Sequence, residues 1–391
     1  MAQLTSIDDL LEQMAELNAS DLHITTGSPP VYRIRGEIVR VADLDSFTPD
    51  DTRALLYRIL SSEQQKHFEL QRQLDFAYAL PGVARFRVNV YYQREAVGAA
   101  FRLIPQDIKS LEELGLPGVL HTFAEKPRGI VLVTGPTGSG KSTTLAAILD
   151  EINRTRSEHI LTIEDPIEFV HKHKRCIVNQ REIGPDAVSF AAALKAALRQ
   201  DPDIILVGEM RDMETISTAL TAAETGHLVF ATVHTQSAPS TIDRIIDVFP
   251  AEQQEQVRIM IANSLQGIVT QTLIPTADGR GRVAGLEILL PDDAVRNLIR
   301  QAKIEQVYSI MQTNTARGMQ TMEQALADLT LRRVINVDEA FSRTNRRDIL
   351  AGILERAGVD VRGVMAQLDL AATSPLPQQP TNGLRVAGSP A

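Results

Sequence analysis

The stretch Gly129-Ile-Val-Leu-Val-Thr-Gly-Pro-Thr-Gly-Ser-Gly-Lys-Ser-Thr143 decides the fold. Its first six residues form a short apolar run rich in β-branched side chains, which predicts a buried strand. Gly135 to Ser142 then fits the spacing G-x-x-x-x-G-K-[ST], and Thr144 to Ile152 has the composition of a helix. Strand, glycine loop and helix in that order build a phosphate cradle. The glycines let backbone N–H groups turn inward, the helix N-terminus adds its positive dipole end, and Lys141 supplies a point charge to the β- and γ-phosphates. Gly135, Pro136, Thr137, Gly138, Ser139, Gly140, Lys141, Ser142 and Thr143 are therefore the candidate nucleotide-binding set, with a nucleoside triphosphate as ligand and the Ser142 hydroxyl on Mg²⁺. A chance glycine-rich turn would not bring its own strand and helix.

From about Val119 the chain alternates strand and helix, which predicts a mostly parallel sheet covered by helices on both faces. The clearest core strands besides the first are Ile160–Ile163, Ile204–Val207 and Leu228–Val233. After Asp243 the pattern reads as largely helical to about Leu370. The first hundred residues predict a separate small α/β domain: an amphipathic helix on Ile7, Leu10, Leu11, Met14 and Leu17, a hairpin through Leu22–Thr25 and Val31–Val41, a helix from Asp50 to Leu70, and three strands from Gln73 to Ile104. The α/β chain thus divides into a domain over 1–104, a Pro- and Gly-containing linker over 105–118, a P-loop domain with C-terminal helices over 119–370, and a disordered tail over 371–391 rich in Pro, Gly, Ser and Gln.

Composition narrows the class. At 391 residues the chain exceeds one ordinary core. No run reaches the roughly 18 apolar residues of a membrane span, and acids near the N-terminus do not suit a signal peptide, so a cytoplasmic location is expected. The single cysteine, Cys176, excludes an internal disulfide and a Cys₄ zinc site. A formal net charge of −9 argues against general affinity for nucleic-acid phosphates.

Polar residues close the core strands, where open α/β sheets place ligand groups. Glu164 and Glu168 follow one strand, and either can be the base or the group that orients water. Glu209 stands where a Walker B acid belongs, with Gly208 in the place where aspartate is usual, so metal contact through water is expected. His227 and His234 bracket a third strand; near a P-loop, a histidine at a strand end can sense γ-phosphate by a hydrogen bond.

Four sets, GPTGSGKST from Gly135, LTIEDPIEF from Leu161, LRQDPDIILVGEMRD from Leu198 and TGHLVFATVHT from Thr225, resemble in order the Walker A, Asp box, Walker B and His box of the secretion ATPase superfamily that drives type II secretion and type IV pili. The resemblance extends from SDLHITTGSPP near the start to GMQTMEQALADL. Ala294-Val-Arg-Asn-Leu-Ile-Arg300 is similar to the AIRNLIR segment of the retraction branch, the PilT type. The tetracysteine element usual in the assembly and secretion branch is lacking, and only about 130 residues precede the P-loop. The PilU-type accessory retraction ATPases and the assembly or secretion ATPases are the alternatives. Outside the superfamily, a nucleic-acid motor and a non-catalytic ring component are the competing classes.

The resemblance implies a PAS-like N-terminal domain, a RecA-like ATPase domain and a homohexamer hydrolysing ATP to power pilus retraction and twitching motility. It implies that Arg87 and Arg102 reach the phosphates, with Arg85 a third candidate, and that His227 and His234 report nucleotide state. It implies as partners the inner-membrane pilus platform protein and a second retraction ATPase, at the cytoplasmic membrane face, with no nucleic acid.

Overall fold

The computed structural model describes residues 6–34, 36–41, 44–105 and 107–364. The predicted tail over 371–391, and residues 365–370 of the region before it, lie outside the described residues.

Thirteen strands are present among the described residues: β1 (Asp21–Ile24), β2 (Val31–Ile34), β3 (Glu37–Arg40), β4 (Gln73–Leu80), β5 (Ala84–Gln93), β6 (Ala96–Ile104), β7 (Gly129–Thr134), β8 (His159–Glu164), β9 (Ile177–Glu182), β10 (Ile204–Val207), β11 (Leu228–Val233), β12 (Leu265–Pro275) and β13 (Arg282–Leu289). The first six make one antiparallel sheet in the order β3-β2-β1-β6-β5-β4. Alternation along β5 sends Ala84, Phe86, Val88 and Val90 into a core with Leu10, Leu11, Met14, Leu55, Leu56 and Phe68 from the helices. Arg85 and Arg87 therefore stand on the opposite face, and Arg102 lies directly across from Arg87 in the β5–β6 register.

Local chemistry sets the helix limits. Ser6 and Asp9 form a capping box at the start of Ile7–Glu16, as do Thr48 and Asp51 at Pro49–Tyr57. The helix expected over 50–70 is two helices, because Ser61 and Gln64 form another capping box and start a new one, Ser62–Gln71.

The second sheet runs β13-β12-β7-β11-β10-β8-β9. The pairs β12–β7, β10–β8 and β8–β9 are parallel and β12–β13 is antiparallel. The strands β7 and β11 are buried along their whole length, as a sheet covered on both faces requires. The described residues cluster into two compact units, one from the stretches up to Pro127, Ser142–Met210 and Thr225–Phe230, the other from Arg128–Lys141, Arg211–Glu224 and the stretch from Ala231 onward.

The region after Asp243 departs from the helical expectation at β12 and β13. The helix Ala251–Ser264 ends directly against Leu265, whose extended backbone (ψ 124°) begins β12. No loop separates the two, and the nearest glycine, Gly267, stands inside β12 at a register shift against β7, so the change is poorly marked in the sequence. Beyond β13, helices resume and enclose a second core around Leu326, Phe341, Leu350 and Leu354.

In the predicted linker, Ser110 and Glu113 exchange hydrogen bonds and Leu111 is buried. The His121 ring lies between two carboxylates, with Nε2 3.1 Å from Glu112 and Nδ1 2.7 Å from Glu151 on the P-loop helix Lys141–Thr155. The hydrogen bond to Glu151 and the charges of Glu151, Glu112 and Glu125 raise the imidazole pKa against a smaller desolvation effect. A pKa above the unfolded value of about 6.5 means that this stabilisation is complete below that pH and is lost as pH rises through the folded pKa. His121→Gln should therefore lower the melting temperature at about pH 6 and leave it nearly unchanged at about pH 9. An equal loss at both values would remove the charge from the explanation.

Candidate active site

The loop between β7 and the helix Lys141–Thr155 is shaped by close backbone approach. Gly135 has φ +136°, and a Cβ there would lie 2.2 Å from the Gln271 carbonyl oxygen of β12. That oxygen belongs to backbone in a paired strand and cannot withdraw. Gly135→Ala is expected to lower unfolding stability by at least about 2 kcal/mol and to abolish nucleotide binding. Denaturant unfolding and nucleotide titration check both.

Lys141 is buried, and its Nζ donates to the carbonyls of Gly135 at 2.9 Å and Pro136 at 3.0 Å. The ammonium is thus held over the loop. Ser139 Oγ is buried and has no hydrogen-bond partner among the described residues. A held cation and an orphaned hydroxyl in a glycine loop that leads into a helix N-terminus fit a phosphate chain. No cluster of three or more His, Cys, Asp or Glu suited to a metal occurs among the described residues. Mg²⁺ bound to a nucleotide needs none, because phosphates and waters supply most of its oxygens.

His234 follows β11 and faces the same loop. Desolvation, then the positive charges of Lys141 and Arg211, push its pKa down against a hydrogen bond to the Gly135 backbone. A neutral imidazole next to the P-loop can exchange a hydrogen bond with a phosphate oxygen. His227 precedes the same strand, at its other end, about 20 Å away by strand rise. The two histidines stand one at each end of β11, as the sequence reading placed them.

Glu164 closes β8. Thr162 Oγ1 donates to its Oε1 at 2.6 Å, Gln180 Nε2 to the same oxygen at 3.1 Å, and the Glu168 backbone N–H to Oε2 at 3.4 Å. Desolvation raises its pKa, opposed by those bonds. A carboxylate held in one orientation with raised basicity suits proton abstraction. The Glu168 side chain is exposed, and its backbone supports Glu164. Sequence reading missed Thr162 and Gln180, although Thr162 stands two residues before Glu164, on the same side of a strand.

Gly208 has a spatial reason. Its N–H donates to the Ile163 carbonyl at 2.7 Å, and a Cβ on it would lie 3.0 Å from that oxygen and 3.2 Å from Glu164 Cα. An aspartate there would crowd the end of β8, so the acid comes one residue later, at Glu209. Of the candidate arginines, Arg102 Nε donates to the buried Asp21 at 2.8 Å, Arg85 pairs with Glu182 at 3.4 Å, and Arg87 is exposed.

A sequence profile of the type II/IV secretion system protein family matches residues 3–346. The chain belongs to that family. Members of the type II/IV secretion family similar to it include the type IV pilus retraction ATPase PilT of Pseudomonas aeruginosa, 53% identical over 334 residues that cover 85% of this chain and 96% of that protein. The type IV pilus ATPase PilU of the same organism is 41% identical, covering 86% and 88%. A crystal structure of the pilus retraction motor PilT with bound ADP superposes with a TM-score of 0.83 at 51% identity, covering 88% of this chain and 98% of that one. The higher identity to PilT than to PilU agrees with the retraction branch read from the sequence. The type II/IV secretion family fold, a mixed α/β N-terminal part followed by a P-loop ATPase part, is the one expected.

The helix Asp293–Arg300, which carries the AIRNLIR-like segment, buries Val295 and Ile299. Arg296 donates to the carbonyls of Ala262, Asn263 and Leu265, and Arg300 donates to the Asn263 side chain. These arginines cap the helix Ala251–Ser264 where it turns into β12.

Proposed function

We propose that this chain is a motor ATPase that hydrolyses Mg²⁺-bound ATP to power retraction of type IV pili, working as a homohexamer on the inner-membrane platform protein. The observation that carries the reading is the P-loop with buried Lys141 beside His234, in a chain 53% identical to a pilus retraction ATPase. In this reading Lys141 and the loop N–H groups hold the phosphates, Ser142 holds Mg²⁺, and Glu209 acts on the metal or its water shell. Glu164 is the base, with Glu168 as backbone support. His234 senses the γ-phosphate, and His227 serves at the other end of β11. Arg87 and Arg102 carry positive charge to the phosphates, which can accelerate phosphoryl transfer by about 10³ to 10⁵.

ATP-driven closure and release of an N-terminal domain over 1–104 and an ATPase domain over 119–370, hinged at 105–118, would turn the bound platform in steps. The motor then works at the cytoplasmic face of the inner membrane. Among the described residues no helix is long and apolar enough to cross a membrane, which is consistent with peripheral attachment. A second retraction ATPase is a further expected partner, and nucleic acid is not.

Deleting the gene in its host tests direction. Abundant surface pili without twitching are expected, whereas bald cells would move the protein to assembly.

A further inference from the structure

The carboxylate of Glu182, at the end of β9, is only 6% exposed and takes two donors on one oxygen. The Ile167 backbone N–H reaches Oε2 at 3.3 Å and Arg85 Nη2 reaches it at 3.4 Å. Ile167 is itself buried and lies three residues after Glu164. The strands agree: Glu164 pairs with Glu182 in the parallel β8–β9 register, and the Ile183 N–H donates to the Glu164 carbonyl at 2.9 Å. A buried carboxylate is costly unless a cation or N–H groups compensate it, and here one of each does. Removing the charge leaves the Arg85 guanidinium without its counter-ion and weakens, without deleting, the anchor that the Ile167 N–H gives the turn after Glu164.

We infer that Glu182 is a positioning residue for hydrolysis, fixing the turn that orients Glu164, and that Arg85 is its counter-ion and not a phosphate ligand. This deepens the ATPase reading and rests on it. Arg85 is separated in role from Arg87, two residues on along the same face of β5, which makes no such pair among the described residues.

The test uses the full chain and ATP turnover. Glu182→Gln keeps the shape and an acceptor for the Ile167 N–H but removes the charge. It should lower kcat about tenfold or more while KM for ATP stays within about twofold. Arg85→Met should reproduce that loss, and the double variant should be no slower than either single one. The acid limb of the kcat–pH profile should shift in Glu182→Gln, because Glu164 loses its fixed surroundings. A residue with only a structural role would lower the melting temperature and leave the limb in place, which would overturn the inference. So would wild-type kcat in Glu182→Gln, or a raised KM in Arg85→Met with additive losses. Should Glu182→Gln fail to fold, Arg85→Met decides by the same kcat and KM readouts. A wild-type chain without any turnover would sink the ATPase reading itself.

Discussion

Lys141→Ala is expected to abolish ATP turnover, with kcat reduced at least about 10²-fold, while the fold survives. The ammonium lies buried over the Gly135 and Pro136 carbonyls, so its charge is already desolvated and aimed where phosphate oxygens would sit. In the proposed role a bound triphosphate would gain charge-assisted bonds from it, and the developing charge of the transition state would gain more. Alanine removes that contribution without opening the core, since the loop is shaped by Gly135 and its approach to β12. Melting temperature should change little, because two carbonyls lose a donor while a buried ammonium no longer needs compensation. Phosphate release measured beside ADP titration separates the effects. Turnover near the wild-type level would overturn the assignment of this loop as the catalytic phosphate site.

How much of this was legible in the sequence depended on how local the signal was. The P-loop could be read because its three parts are contiguous, and the polar residues after β8, β10 and β11 because strand ends place ligands by rule. The partners that make those residues work lie far away in sequence. Gln180 belongs to β9 and holds Glu164; Gln271 belongs to β12 and requires Gly135; Glu182 claims Arg85 across 97 residues. No spacing rule links such pairs. Strand β12 was missed because its β-branched run follows a helix without a break. The two histidines illustrate the converse limit: both flank β11, but only strand direction separates His234, at the P-loop, from His227.

Glu164→Gln and Glu209→Gln should both leave ATP binding intact and both lower kcat by about 10² or more, yet they should differ in pH dependence. Burial lifts the Glu164 pKa, and the bonds from Thr162, Gln180 and the Glu168 backbone only partly offset this. As the base, Glu164 must be ionised, so wild-type kcat should fall as pH drops through a value above the ordinary carboxylate range. Glu164→Gln removes that limb along with most of the rate. Glu209 sits two residues beyond β10, and if it acts as proposed on Mg²⁺ or its waters, Glu209→Gln should trap Mg²⁺-bound ATP and keep the limb in its residual activity. Raising Mg²⁺ should restore part of the rate in Glu209→Gln and none in Glu164→Gln. If the limb disappears instead in Glu209→Gln, the two carboxylates exchange roles, and the hydrogen bonds around Glu164 serve to hold the end of β8.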